Sequence, residues 1–312
     1  MFHDLKVLVT GVAGFIGSHL CRRLLDLGIE VHGLDNLSRG FAERVKDLED
    51  AGMVLYRADV RNWAIVHEIL HRVKPDGIMH LAALISVEES IRMPGLYMEV
   101  NAEGTRNLVR AASRAGVRKF IYASSAAVYG NPVKLPITED HPTSPLSPYG
   151  LSKLKGERYV ASEFIGEEKP VILRIFNVYG PGQNPEYAGV ITRFIERLSR
   201  GEPPIIFGDG CQTRDFIHVD DVVEAFIRSL DVSIDEVLVA NIGSGRPVKI
   251  IELARMMIRL YGLDLEPVHA PPRPGDIRDS YADISRARRI LGWSPRIGLE
   301  EGLQRIIHGE DL

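Results

Sequence analysis

The feature that most constrains the fold is a glycine-rich turn between a short apolar strand and a helix. Residues 5–10 form an apolar run typical of a buried parallel strand, and a helical pattern follows to residue 27. Gly11, Gly14 and Gly17 lie between them with the spacing GxxGxxG. They allow a tight turn, a close approach to a pyrophosphate and helix–strand packing. Because helix N-termini favour anions, we predict a phosphate-binding site here that includes Phe15 and Ile16.

Strand and helix patterns alternate along the first half of the chain. Strands are predicted at residues 30–34, 53–58, 77–81, 118–123 and 170–175, and helices at 62–73, 94–115 and around Tyr149. Such alternation predicts an α/β fold, a Rossmann-type doubly wound parallel sheet. Ligands of these sheets bind beyond the carboxyl ends of the strands. The residues at those ends are Gly11, Asp35, Asp59, Ala82, Ser124 and Asn177.

The pattern loosens after about residue 176, where glycine and proline become frequent. We therefore predict a nucleotide-binding Rossmann domain at residues 1–176 and a smaller mixed α/β substrate-binding region at 177–312. Parts of residues 205–235 are expected to pack back on the first domain. Helices of the smaller region are predicted at 189–200, 219–230, 248–261 and 299–308.

Charge and composition limit the partners of the chain. A net charge of −4 without a basic block argues against nucleic acid or an anionic membrane as a partner. The sequence contains neither a run of 18 apolar residues nor a signal-peptide pattern, so we expect a cytoplasmic location. Cys21 and Cys211 lie far apart and predict neither a disulfide framework nor a metal site.

The end of the second predicted strand indicates which dinucleotide binds. Asp35 stands there, where a carboxylate accepts hydrogen bonds from the adenosine ribose and repels a 2′-phosphate, so NAD is favoured over NADP. Arg39 lies nearby and could soften that rejection. Asp59 and Val60 follow the third strand, where an adenine amino group could be met. Ala82 and Ala83 would let a cofactor lie against the backbone, although simple helix packing also explains them.

Tyr149 and Lys153 form the strongest candidate for chemistry. Four residues apart, they lie one turn apart on the same face of a helix. A free tyrosine has a pKa near 10, and an adjacent ammonium favours its phenolate. The alternative is a pair of solvated neighbours on an exposed helix. Ser124 and Ser125 follow the fifth strand, either as hydroxyls that help to move a substrate proton or as turn formers.

Several motifs together resemble the extended short-chain dehydrogenase/reductase superfamily. They are the glycine turn, the segment Ser124-Ser125-Ala126-Ala127-Val128-Tyr129-Gly130 and the Tyr149-x-x-x-Lys153 spacing. The segments 174–181 and 214–221 narrow the resemblance to nucleotide-sugar enzymes, and it is closest to the UDP-glucose 4-epimerases. The resemblance covers about residues 5 to 305 and implies an NAD cofactor and a UDP-sugar substrate.

The resemblance also implies a role for each matching residue. Tyr149 would be the catalytic base, Lys153 would lower its pKa and hold the nicotinamide ribose, and Ser125 would be the catalytic hydroxyl. The further cofactor-binding residues implied are Asp35, Asn36, Ser38, Asp59, Val60, Leu81, Ala82, Ala83, Asn101, Ser124 and Phe176. The substrate-binding residues implied are Asn177, Gly189, Val190, Ile205, Phe207, Arg214, Arg273 and Asp276. Without the resemblance, Arg214 beside Asp215 would be interpreted as a surface ion pair.

Four positions refine the implied reaction. Dehydratases and decarboxylases of the superfamily carry an acidic residue just after the catalytic hydroxyl, whereas this chain has Ala126-Ala127. The resemblance therefore implies epimerisation at C4 of UDP-glucose and UDP-galactose. Ile85 replaces a lysine that some bacterial members place near the diphosphate. Ser280 aligns with a position whose bulk limits the C2 substituent, so N-acetylated sugars are expected to fit.

Other interpretations remain open at this level. The same machinery would serve an epimerase of another sugar nucleotide such as UDP-glucuronate. An NAD-binding sensor or scaffold without catalysis is the non-enzyme alternative, although such proteins usually lose the tyrosine or the lysine.

Members of the family usually form homodimers through the helix after Pro94 and the Tyr149 helix, so a homodimer is expected.

Overall fold

The structure is a computed structural model and describes residues 5–184, 189–273 and 277–309. Its strands are β1 Lys6–Thr10, β2 Glu30–Asp35, β3 Val54–Arg57, β4 Gly77–His80, β5 Lys119–Ser125, β6 Val171–Ile175, β7 Asn177–Tyr179, β8 Ile205–Phe207, β9 Thr213–His218, β10 Leu238–Ile242, β11 Pro247–Lys249, β12 Val268–Ala270 and β13 Asp279–Ser280. Its α-helices are α1 Phe15–Asp26, α2 Ala42–Asp50, α3 Trp63–Val73, α4 Val87–Arg92, α5 Pro94–Tyr97, α6 Gly104–Ala115, α7 Pro148–Glu163, α8 Val190–Leu198, α9 Val219–Asp231, α10 Ile250–Leu260, α11 Ser285–Leu291 and α12 Leu299–His308.

Seven parallel strands form the central sheet in the order β10-β6-β5-β4-β1-β2-β3. The chain passes from β1 to β2 and β3 on one side and then returns to place β4 on the other side of β1. The strand order therefore reverses beside β1, the position at which doubly wound sheets bind ligands. The predicted fold class is confirmed.

Alternating side chains place a separate core on each face of this sheet. Val7 and Val9 of β1 pack with α1 and α9 on one face, whereas Leu8 packs with α3 and α6 on the other. Helix α9 and strand β10 both come from beyond residue 176. The sequence analysis did not predict β10, because its short apolar run becomes a strand only when β6 offers it a partner.

The second region is built on β9. Strands β7 and β13 pair with it in parallel and β11 pairs with it in the antiparallel sense, while β8 and β12 form a separate pair. A third core lies between α8, α10 and α12. The four helices predicted for this region are all present, within two residues of the predicted ends.

The predicted helix at residues 94–115 is interrupted. It consists of α5, a π-helical turn at Met98–Glu103 and α6. The wide turn carries Asn101, whose buried amide donates to the carbonyl of Leu84 and the hydroxyl of Ser152 and accepts from the Leu84 amide. Such turns often occur at functional sites, where they reposition one side chain within a helix.

Helix α12 packs against Tyr179 of β7 through Gly302. A Cβ atom added at Gly302 would lie 2.3 Å from the hydroxyl of Tyr179 and within 3 Å of two ring carbons. Tyr179 is only 1 % exposed, so its ring has little freedom to move away. Close packing of these two residues therefore fixes α12.

We expect Gly302→Ala to lower the free energy of unfolding by about 1–3 kcal/mol, because overpacking outweighs the better helix propensity of alanine. Gly95→Ala is the matched control, since a Cβ in that short helix meets nothing within 4 Å. Urea denaturation followed by circular dichroism measures both variants. Equal stabilities would contradict this account of α12.

Candidate active site

A cavity of about 570 Å³ lies beyond the carboxyl ends of β1, β2, β4 and β5. Of the predicted cofactor-binding residues, it is lined by Gly11, Gly14, Phe15, Ile16, Gly17, Asp35, Asn36, Ser38, Asp59, Val60, Leu81, Ala82, Ala83, Ser124, Tyr149, Lys153 and Phe176. Ser125 also lines it. Asn101 does not, because its amide is turned towards Leu84 and Ser152.

The glycine turn can be made only without side chains. Gly11 has φ +78°, and a Cβ there would lie 2.8 Å from the backbone nitrogen of Ala82. A Cβ at Gly17 would lie 2.0 Å from the carbonyl oxygen of Gly11. Gly14 caps α1 without a side-chain hydrogen bond, and the first turn of the helix carries no acidic residue. The turn therefore offers backbone amides to an anion, as a pyrophosphate requires.

Asp35 and Asp59 place two carboxylates along the cavity. Asp35 accepts hydrogen bonds from the amides of Ala13 at 3.0 Å and Leu37 at 2.8 Å, and burial raises its pKa. Asp35 thus joins the glycine turn to the loop after β2. Hydrogen bonds from Arg61 lower the pKa of Asp59 to about 2, so this side chain is ionised.

Tyr149 and Ser125 interact at the inner end of the cavity. Helix α7 begins after Ser147, whose hydroxyl accepts from the amide of Gly150, and this cap sets the position of Tyr149 in the first turn. Burial raises the pKa of Tyr149, and its hydrogen bond with Ser125 acts in the opposite direction. The chain alone therefore raises the pKa of Tyr149, and the lowering expected from Lys153 with a bound nicotinamide stays a prediction.

Lys153 lies one turn further along the same buried face. Its Nζ is 4.7 Å from the ring centroid of Tyr122, and the residue is 4 % exposed. Burial lowers the pKa of Lys153 to about 7, while the carboxylate of Glu157 acts against that shift. The amine thus changes charge near neutral pH, far from the usual lysine pKa of about 10.4.

The sequence analysis missed a buried ion pair behind these residues. Both carboxylate oxygens of Glu157 accept from Arg174, at 2.9 and 2.8 Å, and Ser124 donates to one of them at 2.5 Å. Glu157 follows Lys153 by four residues, and Arg174 begins a motif already singled out in the sequence. The spacing of Glu157 from Lys153 and the motif that begins at Arg174 were the available signals. Neither shows that the two side chains meet.

A second cavity of about 260 Å³ adjoins the first. Its lining includes every described residue among those predicted to bind substrate in the second region: Asn177, Gly189, Val190, Ile205, Phe207, Arg214 and Arg273. Asp276 lies outside the described residues. Asn177 and Gly189 line both cavities, so the two spaces meet there. The guanidinium of Arg273 lies 3.8 Å above the ring centroid of Phe207.

Polar residues that the sequence did not indicate also line this second cavity. They are Gln183, Arg193 and Gln212. Asp215 is fully buried beside Arg214, and its carboxylate accepts from the amides of Gly245 and Ala282 and from Ser244. Arg214 donates to the carbonyl of Thr213. Asp215 therefore fixes the turns around the cavity.

Within residues 5–184, 189–273 and 277–309 no helix combines the length and apolar character needed to cross a membrane. Nor does this part of the chain group three histidine, cysteine or acidic side chains in a way that could hold a metal ion.

The parallel sheet, the glycine turn and the buried tyrosine–lysine pair define a Rossmann-type dinucleotide enzyme. The model of the NAD dependent epimerase/dehydratase family matches residues 7–243. A UDP-glucose 4-epimerase of Mycolicibacterium smegmatis is 41% identical over 307 residues, which cover 97% of each chain. The chain therefore belongs to the NAD dependent epimerase/dehydratase family, and the predicted resemblance and the prediction of an epimerase-type enzyme are confirmed.

Solved structures are similar over the same length. A UDP-glucose 4-epimerase of Thermotoga maritima, solved with UDP-glucose, has a TM-score of 0.91 and 39% identity, covering 97% of this chain and 98% of that one. A UDP-N-acetylglucosamine 4-epimerase of Methanobrevibacter ruminantium, in complex with UDP-N-acetylmuramic acid, has a TM-score of 0.90 and 34% identity, covering 98% and 97%.

We expect Lys153 to titrate near pH 7 in protein freed of dinucleotide, because burial disfavours its charged form. Above that pH the amine is mostly neutral, whereas exposed lysines stay charged to about pH 10.4. NMR of ¹³C-lysine-labelled protein measures the titration, and the Lys153→Met variant assigns the signal. If no lysine signal titrates below pH 9, the buried environment described here is wrong.

Proposed function

We propose that this protein epimerises a UDP-sugar at C4 with NAD as its cofactor. The observation that carries the proposal is the junction of the two cavities at Asn177 and Gly189, with Tyr149 and Ser125 lining the larger one. A dinucleotide in the large cavity and a sugar nucleotide in the small one would meet at that junction.

NAD fits the large cavity. The glycine turn would hold the pyrophosphate, Asp35 the adenosine ribose and Lys153 the nicotinamide ribose. When bound, the nicotinamide ring accepts a hydride from carbon and returns it. Since the same cofactor serves every turnover, NAD is expected to stay bound and to copurify with the protein.

The protein's own part in the reaction is to move one proton. Ser125 would hydrogen-bond the 4-hydroxyl of the sugar, and Tyr149 would take its proton directly or through Ser125. The hydrogen bond from Ser125 already favours the phenolate, and the charged form of Lys153 would favour it further. The same groups would return the proton after the 4-keto sugar has turned its other face.

Ala126 and Ala127 favour epimerisation over elimination. A 3₁₀ turn at Ala126–Val128 follows Ser125 directly, and the Ser125 hydroxyl accepts from the amide of Ala127 at 3.2 Å. Methyl groups at these two positions can neither give nor take a proton. The acid that a dehydratase needs here is therefore missing, which leaves oxidation and reduction at one carbon.

The small cavity suits a UDP group. Arg214 and Arg273 would grip the diphosphate, because guanidinium groups match phosphate oxygens. Phe207 and Ile205 would border the uracil. Ser280 pairs in register with Arg214, the residue that would grip the diphosphate, and this register supports its predicted effect on the sugar's C2 substituent. We therefore infer activity on UDP-glucose and UDP-galactose and on their N-acetylated counterparts.

We expect Tyr149→Phe to lower turnover of UDP-galactose by about 10²–10⁴-fold while UDP still binds within about twofold, because only the proton transfer is lost. Tyr159→Phe is the matched control on the same helix, where the hydroxyl donates to Glu103. Coupled detection of UDP-glucose gives the rate, and calorimetry gives the UDP affinity. An almost unaffected rate in Tyr149→Phe would sink the assignment.

We expect the unaltered protein to convert both UDP-galactose and UDP-N-acetylgalactosamine. Ser280→Tyr should lower the second rate about tenfold or more relative to the first, because added bulk excludes the acetamido group. Incubation with each sugar nucleotide and with UDP-glucuronate, followed by chromatography, identifies the products. Turnover of UDP-glucuronate alone would show that UDP-glucuronate, and not UDP-galactose, is the substrate. A product formed by loss of water would count against an epimerase.

The homodimer stays a prediction, which sedimentation velocity can check. Helices α6 and α7 lie side by side, and their outer surface carries ion pairs from Arg106 and Arg110 to Glu163. The expected cytoplasmic location likewise stays a prediction.

A further inference from the structure

Two segments flank the glycine turn of the large cavity. Strand β1 lies between β2 and β4 in the sheet, so the loop after β2 and the segment leading to α4 rise on either side of the turn. The β2 loop packs on the turn, since the amide of Phe41 donates to the carbonyl of Ala13 at 3.3 Å. Gly40 lies so close to Ala13 that a Cβ there would clash with it.

An ion pair joins these two segments above the turn. The Nη2 atom of Arg39, in the β2 loop, donates to Oε1 of Glu89 in α4 at 2.6 Å. Both residues line the large cavity. Because the segments lie on opposite sides of β1, this ion pair crosses the groove in which a dinucleotide would lie.

Glu89 is held in place independently of Arg39. Its second oxygen accepts from the hydroxyl of Tyr97 at 2.9 Å, and Tyr97 is fully buried. Its amide donates to the hydroxyl of Ser86, which caps α4. Burial opposes ionisation, but the bonds from Arg39 and Tyr97 hold the pKa of Glu89 below its ordinary value. Glu89 is therefore a fixed anion at neutral pH.

We propose that Glu89 helps to select NAD over NADP by holding Arg39 away from the position of a 2′-phosphate. Enzymes that accept NADP commonly place an arginine near the adenosine ribose. Arg39 follows Asp35 by four residues and lines the same cavity, so it is suited to that role by position. Glu89 instead binds the guanidinium of Arg39, and Asp35 would repel a 2′-phosphate.

A second guanidinium in the cavity belongs to Arg61. It bonds to Asp59 at 3.0 and 2.7 Å and lies near the predicted adenine end. Asn36 also donates to Asp59, at 2.9 Å. An experiment must therefore separate Arg39 from Arg61 and from a general change of charge.

The test compares Glu89→Gln with the double variant Arg39→Gln/Glu89→Gln. Glu88→Gln is the matched control. Glu88 precedes Glu89 directly, but its side chain is 81% exposed and lies 3.8 Å from Arg92. Each protein is equilibrated with mixtures of NAD and NADP until the bound composition is constant. After gel filtration and denaturation, chromatography of the released dinucleotides gives the ratio of NADP to NAD.

Glu89→Gln should raise that ratio about tenfold, since it removes the negative charge that holds Arg39 and so favours a charge-assisted contact of Arg39 with the phosphate. The control should stay within about twofold of the unaltered protein, and the double variant should lose the gain. An unchanged ratio in Glu89→Gln, or a gain that survives loss of Arg39, would overturn the proposal.

The proposal rests on the proposed function only in that the cavity holds a dinucleotide. Failure of the unaltered protein to bind NAD would overturn both. Normal NAD binding with an unchanged ratio would overturn only the role of Glu89.

Discussion

The arrangement of the active site depends on the buried ion pair between Glu157 and Arg174. It ties helix α7, which carries the proposed catalytic pair, to β6, and Ser124 extends the contact to β5. Removal of one partner of such a pair typically costs about 3–5 kcal/mol, because the other charge stays buried. Glu157 also supplies the negative charge that acts against the effect of burial on Lys153. One contact thus bears on both the position of α7 and the charge of Lys153, the residue proposed to support the catalytic tyrosine.

The same network reaches the second region. Arg174 donates to the carbonyl of Glu139, and the carboxylate of Glu139 accepts from the amide of Asn241 in β10. The side chain of Asn241 donates to the carbonyls of Ile137 and Asp283. Asp283 follows Ser280 closely in the sequence. Strand β10 therefore also connects helix α7 with the segment that would contact the sugar. This chain of hydrogen bonds would hold the proposed substrate-binding region in a fixed position relative to the proposed cofactor-binding region.

Burial and hydrogen bonding have opposite effects on the pKa of Tyr149, the proposed catalytic base. The dry environment that would strengthen a hydride-transfer site also raises the pKa of Tyr149 and lowers that of Lys153. The spacing of the two residues predicted that they share one face of a helix, and the expected lowering of the tyrosine pKa by Lys153 and a bound nicotinamide stays a prediction. The hydrogen bond from Ser125 works towards the phenolate. The positive charge of a bound nicotinamide would add to it.

The sequence by itself determined the features that depend on neighbouring residues. Glycine spacing, alternating strand and helix patterns and Asp35 at a strand end predicted the sheet, the glycine turn and most of the cavity lining. The tertiary structure decided the pairing of Glu157 with Arg174, the pairing of Arg39 with Glu89, the π-helical turn around Asn101 and the addition of β10 to the sheet. Each of these joins residues that are distant along the chain, and their meeting depends on how whole elements pack. Local propensity contains no term for such a contact, because the free energy that favours it exists only after the sheet has formed.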